Sequence, residues 1–81
     1  MGKFQTFGHL EAQVTVVRWH LDAAALENGE KRRRHLGSAG LTYQGALELL
    51  AQLALTDGEH EAVAKQLHEV AERLRALGRP V

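Results

Sequence analysis

The C-terminal third of the chain carries an apolar stripe with the period of an α-helix. Its members recur at intervals of four and three residues and so share one helix face: Val63, Leu67, Val70, Leu74 and Leu77. Thr56 and Glu59 have the spacing of a capping box, and Gly78 and Pro80 are typical of a helix end. We therefore predict a helix over residues 58–77, whose stripe must pack against another part of the chain.

A second helix is predicted immediately before it, over residues 43–55 with Thr42 as its N-cap. Apolar side chains cover much of its circumference, namely Ala46, Leu47, Leu49, Leu50, Leu53, Ala54 and Leu55. A helix with so wide an apolar surface is expected to be covered on two sides. The link around residues 56–58 is short, so the two helices should be antiparallel neighbours.

The segment over residues 10–24 permits two structures. As a helix it presents a stripe of four-three spacing, Leu10, Val14, Val17, Leu21 and Ala24, and leaves Val16 and Trp19 on the opposite face. As a strand it alternates apolar and polar residues in two runs, which meet at a bulge between Val16 and Val17. Because residues 14–19 are β-branched and aromatic, we favour the strand.

An Asn28-Gly29 pair supports the strand, because Asn-Gly is the preferred two-residue turn of a β-hairpin. Folding the chain there pairs Asp22 with His35 and Leu21 with Leu36, although residues 23–25 are three alanines, which suit strands poorly. Residues 37–40, "GSAG", would be a flexible connection, and Phe4 and Phe7 could add a short edge strand.

The predicted fold is therefore α+β: an antiparallel hairpin or sheet in residues 1–40 packs on a helical pair in residues 42–78. The alternative is a three-helix bundle, in which residues 9–27 are helical and the basic run at 31–34 is an interhelix loop. In either case 81 residues make one small domain, whose stability comes from packing or self-association because it has no cysteine. No apolar run is long enough to span a membrane, and no secretory signal is evident, so we expect a cytoplasmic protein.

Seven basic residues form the predicted binding site: Arg18, His20, Lys31, Arg32, Arg33, Arg34 and His35. In the hairpin Val17, Trp19, Leu21 and Leu36 face the core, so that five of the seven (Arg18, His20, Lys31, Arg33 and His35) lie on the open face. Such a row of donors suits DNA phosphates and base edges. The whole chain has no net charge, but residues 1–41 hold six Lys or Arg against four Asp or Glu.

The same segment resembles the AP2-like arm-binding domain of phage-type tyrosine recombinases. The resemblance lies in a strand with an aromatic residue, the Asn28-Gly29 turn, the basic residues 31–34, and Thr42 with Ala46 at the start of an amphipathic helix. It implies a sheet that enters the DNA major groove.

Signals for catalysis are weak, and we expect no enzyme activity, no cofactor and no metal site. "HEVAE", residues 68–72, resembles half of a zinc-protease helix motif, but Glu72 stands where the second His belongs. The alternative function is a small protein–protein interaction module or inhibitor, similar to a phage accessory protein or an antitoxin. Its interface would be anchored by Tyr43, Arg32 and Arg34, with Trp19 more readily assigned to the core, and it could form a homodimer.

Overall fold

The computed structural model describes residues 7–79, which form three helices. The helices are α1 (Phe7–Leu26), α2 (Gly29–Gln52) and α3 (Asp57–Ala76), joined by links at residues 27–28 and 53–56. His20 lies beside His35 and Gln13 beside Gly45, so α1 and α2 are antiparallel. Arg18 pairs with Glu69 and Asp22 with Arg73, so α3 runs parallel to α1. The architecture is an up-down-up three-helix bundle.

The predicted N-terminal hairpin is wrong, because residues 7–26 are one continuous helix and no strand occurs in residues 7–79. The four-three stripe decides the outcome: Leu10, Val14, Val17, Leu21 and Ala24 are all completely buried. Burial of this stripe against α2 and α3 outweighs the modest β-propensity of residues 14–19. The α+β fold class is thus replaced by the three-helix alternative. Phe7 begins α1, and the edge-strand residue Phe4 lies outside the described residues.

The second helix begins 14 residues earlier than predicted. Asn28 is an extended N-cap, and Gly29 has a φ of 61°, so the Asn-Gly pair turns the chain between two helices. The basic run therefore occupies the first turns of α2 and is neither a strand nor an interhelix loop. Residues 37–40 are helical as well, with Ala39 and Gly40 buried. A stripe of helical spacing continues through them: Leu36, Ala39, Tyr43, Ala46, Leu49 and Leu53.

The third helix confirms the prediction within one residue at each end. The Thr56 hydroxyl accepts a hydrogen bond from the Glu59 backbone N–H at 3.1 Å, and the Glu59 carboxylate accepts one from the Thr56 N–H at 3.1 Å. This capping box satisfies donors that the first turn leaves open. Gly78 follows the helix with a φ of 102°, which favours glycine. Val63, Leu67, Val70 and Leu74 are buried as the stripe requires.

One core joins the three buried stripes, and Trp19 lies outside it. Trp19 is 60% exposed, which contradicts its assignment to the core, while Leu36 is only partly buried against the core. Val16, three residues before Trp19, lies on the same side of α1 and is 43% exposed. Within residues 7–79, no helix combines the length and the hydropathy that a membrane crossing needs.

Candidate functional site

The predicted row of five basic residues on one sheet face does not form, because the strands that would align them are absent. Residues 31–34 are consecutive in a helix, where each side chain points about 100° around the axis from the last. Arg18 lies on the side of α1 that meets α3, with its guanidinium 3.9 Å from the Glu69 carboxylate. Arg33 is exposed and Arg32 half-buried. The predicted site is thus divided among several surfaces.

Four of the predicted residues do come together, in a groove between α1 and α2 near the link at residues 27–28. The groove is lined by His20, Glu27, Lys31, Arg34, His35 and Ser38. Arg34 also forms an ion pair with Glu30 at 3.4 Å, one turn earlier on α2. We call this surface the basic groove. Its cations are exposed, so they are available to a second molecule while their ion pairs contribute little to stability.

A cluster of three aromatic rings lies at one side of the basic groove. The Nδ1 atoms of His20 and His35 are 3.1 Å apart, which allows one ring to donate a hydrogen bond to the other in suitable tautomers. The Trp19 ring stands edge-on to both, with centroid distances of 4.9 Å to His20 and 5.7 Å to His35. Partial burial, and then the proximity of His35, lowers the pKa of His20 below its ordinary value.

An apolar depression lies farther along the same pair of helices. It is lined by His9, Ala12, Gln13, Val16, Leu41, Thr42 and Gly45. Leu41 is 73% exposed. Val16 lines the depression, and Trp19 follows it by three residues on α1, so Trp19 stands between the depression and the basic groove. Together the depression, Trp19 and the basic groove make up what we call the outer face.

A polar atom in the wall of the depression lacks a partner. The side-chain oxygen of Gln13 is buried, and no described residue donates a hydrogen bond to it. An unsatisfied buried acceptor costs about 1–3 kcal/mol. Sequence interpretation missed Gln13 and Leu41 as site residues. It placed Val16 and Trp19 on the face opposite the buried stripe only in the helical alternative.

Among residues 7–79 there is no group of three or more His, Cys, Asp or Glu side chains placed to hold a metal ion. The "HEVAE" segment lies on α3, where His68 and Glu72 form an exposed pair at 3.3 Å. Such a pair is a common feature of helix surfaces.

Comparison with known proteins gives no relative: no family model, no curated protein and no solved structure matches this chain. The sheet that the resemblance to recombinase arm-binding domains implied is absent from residues 7–79.

Proposed function

We propose that this protein is a non-enzymatic interaction module that docks an acidic, amphipathic segment of a protein partner on its outer face. The observation that carries the proposal is the position of Trp19, largely exposed between an apolar depression and a basic groove. Tryptophan and arginine are the side chains that most often dominate binding energy at protein interfaces. Val16 and Leu41 would supply apolar contacts on one side of Trp19, and Lys31 and Arg34 ionic contacts on the other.

The exposure of these apolar side chains is not needed for folding. Each helix buries its own stripe in the core, and Val16, Trp19 and Leu41 belong to none of the three stripes. Single exposed apolar residues are normal on protein surfaces, but here Val16 and Leu41 line one depression, and Trp19 is the next exposed apolar residue along α1. A partner with its own apolar face would remove this surface from water.

The basic run at the start of α2 favours an acidic partner. Residues 31–34 lie in the first turns of α2, where the helix dipole disfavours cations by about 0.3–1 kcal/mol each. This placement weakens the isolated helix, and a binding role for the cations accounts for it. Residues 31–34 carry four positive charges and Glu27 and Glu30 carry two negative charges, which leaves a net charge of +2, so the attraction should be moderate and sensitive to salt. We also propose a cytoplasmic location, because a sequence without cysteine forms no disulfide and so does not need an oxidising compartment.

DNA binding is the second candidate, supported by the exposed cations Lys31, Arg33 and Arg34 on one helix end. A helix can enter the major groove, so loss of the predicted strands does not remove this candidate. However, the four cations point in different directions around α2, and the chain has no net charge.

The test compares three probes by calorimetry and by Trp19 fluorescence. The first probe is a synthetic amphipathic helix of roughly 18 residues with leucines on one face and glutamates on the other. The second replaces its glutamates with lysines, and the third is a short DNA duplex. We expect saturable binding of the acidic helix with a blue-shifted Trp19 emission, and little binding of the basic helix.

Variants locate the binding surface. The double variant Lys31→Glu/Arg34→Glu and the variant Leu41→Asp should each weaken binding by about tenfold or more, or about 1.4 kcal/mol. Lys65→Glu reverses an exposed charge on α3 and should leave binding nearly unchanged. If all three variants bind the acidic helix as tightly as the wild type does, the proposal is wrong. Tight, salt-dependent binding of the duplex that Lys31→Glu/Arg34→Glu abolishes would favour DNA instead.

A second copy of the chain is the competing occupant of the outer face. A homodimer formed there would be symmetric, with Trp19 of each copy near the apolar depression of the other. Sedimentation at increasing concentration separates the two cases, since the proposed module is a monomer in the absence of its partner. A dimer that Leu41→Asp dissociates would assign the face to self-association.

A further inference from the structure

The His20–His35 pair has the separation of two ligands on one metal ion. An ion bound by two imidazole nitrogens at about 2.0–2.1 Å holds them about 2.9 Å apart at a right angle and about 3.3 Å apart at the tetrahedral angle. The observed distance between the Nδ1 atoms is 3.1 Å, which lies between these values. The two rings come from different helices, so an ion between them would also join α1 to α2.

We infer that His20 and His35 form a two-ligand site for a divalent transition-metal ion of the Ni²⁺, Cu²⁺ or Zn²⁺ class. Imidazole nitrogen suits these ions, and Mg²⁺ or Ca²⁺ would not compete because they prefer oxygen ligands. The remaining coordination positions would hold water or a donor atom of a docked molecule. This inference concerns the free protein and does not depend on the proposed partner.

The surroundings of the pair permit a cation. Lys31 and Arg34 line the same groove, but Glu27 lies there too and Arg34 is paired with Glu30 at 3.4 Å. The four charges therefore balance near the site.

A second bidentate pair on the same chain provides an internal comparison. His68 and Glu72 are 3.3 Å apart on α3, one helical turn from each other. Both side chains are more than 60% exposed, and an ion there would join no two helices. Metal binding at this second pair should therefore leave the thermal stability of the bundle almost unchanged, whereas binding at His20 and His35 should raise it.

The experiment is a Ni²⁺ titration of chelator-stripped protein at about pH 7.5, where imidazole is neutral. Trp19 is the only tryptophan, and its ring lies 4.9 Å and 5.7 Å from the two imidazole rings, so bound Ni²⁺ should quench its fluorescence. We expect saturable quenching together with a rise in melting temperature of about 4 °C or more at saturation. Mg²⁺ should produce neither effect.

Four single variants assign the site. His20→Asn and His35→Asn should each weaken Ni²⁺ binding by about tenfold or more, while His60→Asn and His68→Asn should bind as the wild type does. The assignment is wrong if Ni²⁺ still quenches Trp19 and raises the melting temperature in both His20→Asn and His35→Asn. It is also wrong if His68→Asn abolishes these two effects. If His20→Asn and His35→Asn lose helix content, the site is assigned instead by titrating the wild type with Zn²⁺ and monitoring the imidazole ¹⁵N resonances. Two of the five histidines should then shift at Nδ1, and a shift at any other pair would refute the site.

Discussion

Gly40 of α2 packs directly against the side chain of Arg79, beyond the end of α3. A Cβ atom at position 40 would stand 2.6 Å from the Arg79 Nε and 3.0 Å from its Nη2. The absence of a side chain at Gly40 therefore lets the C-terminal guanidinium lie against the middle of α2. Gly40 belongs to residues 37–40, which look like a flexible link in the sequence but are part of α2.

Gly37 and Gly40 make a matched test of that helix. Nothing lies within 4 Å of a Cβ at Gly37, so Gly37→Ala should stabilise the protein by about 0.5–1 kcal/mol through helix propensity. Gly40→Ala gains the same propensity but must displace the end of the Arg79 side chain, so its gain should be smaller. Thermal unfolding measures both. Destabilisation by Gly37→Ala would show that residues 37–40 are not helical.

The buried stripe of α3 should carry much of the stability. Leu74 is completely buried, so Leu74→Ala should cost about 2–5 kcal/mol in the free energy of unfolding. Leu41→Ala removes the same atoms from a side chain that is 73% exposed and should change stability by about 0.5 kcal/mol or less. Urea unfolding of the two variants gives the comparison, and equal losses would show that Leu41 is buried.

How much of this fold the sequence predicts depends on how many signals agree in each segment. In α3 the cap, the stripe and the C-terminal glycine all indicate one helix, and the structure has it. In α1 the stripe indicates a helix, while the β-branched residues and the Asn28-Gly29 turn indicate a hairpin. Local preferences cannot settle that conflict, because the decisive energy is burial of Leu10, Val14, Val17 and Leu21 against helices distant in sequence.

The outer face could be predicted only after α1 was known to be helical. Trp19 faces the core in the predicted strand and points away from the core in the helix, so the wrong choice of period reversed its predicted exposure. The basic groove forms because α2 begins at Gly29. The sequence did not predict this start, because glycine usually interrupts helices and "GSAG" therefore indicated a loop. The stripe from Leu36 through Ala39 to Tyr43 was the available signal.

Trp19 should matter for binding far more than for folding. Burial in a core would make Trp19→Ala cost about 3–5 kcal/mol, but at 60% exposure the loss should be about 1 kcal/mol or less. The same variant should weaken binding of the acidic helical peptide by about 2 kcal/mol or more if Trp19 is the central contact. Calorimetry measures the binding and circular dichroism the stability. A large loss of stability in Trp19→Ala would show that Trp19 is buried in the core.

The last prediction concerns acid. In the folded protein the pKa of His20 is lowered, first by partial burial and then by His35, so the unfolded chain binds a proton at His20 more readily than the folded chain does. The stability that the neutral ring contributes is therefore complete above the unfolded pKa of about 6.5 and is lost as the pH falls through the lower, folded pKa. The other charged residues that line the same groove are Lys31, Arg34 and Glu27.

We thus expect the free energy of unfolding to decline from about pH 7.5 to pH 5, before most carboxylates are protonated. Urea unfolding in the presence of a chelator measures this decline without any bound metal. His20→Asn cannot take up the proton and should flatten the pH profile, while His60→Asn, on the exposed surface of α3, should keep the wild-type slope. A wild-type profile that is already flat over this range, or a slope that His20→Asn leaves intact, would show that the proximity of His20 to His35 and Trp19 does not affect folding.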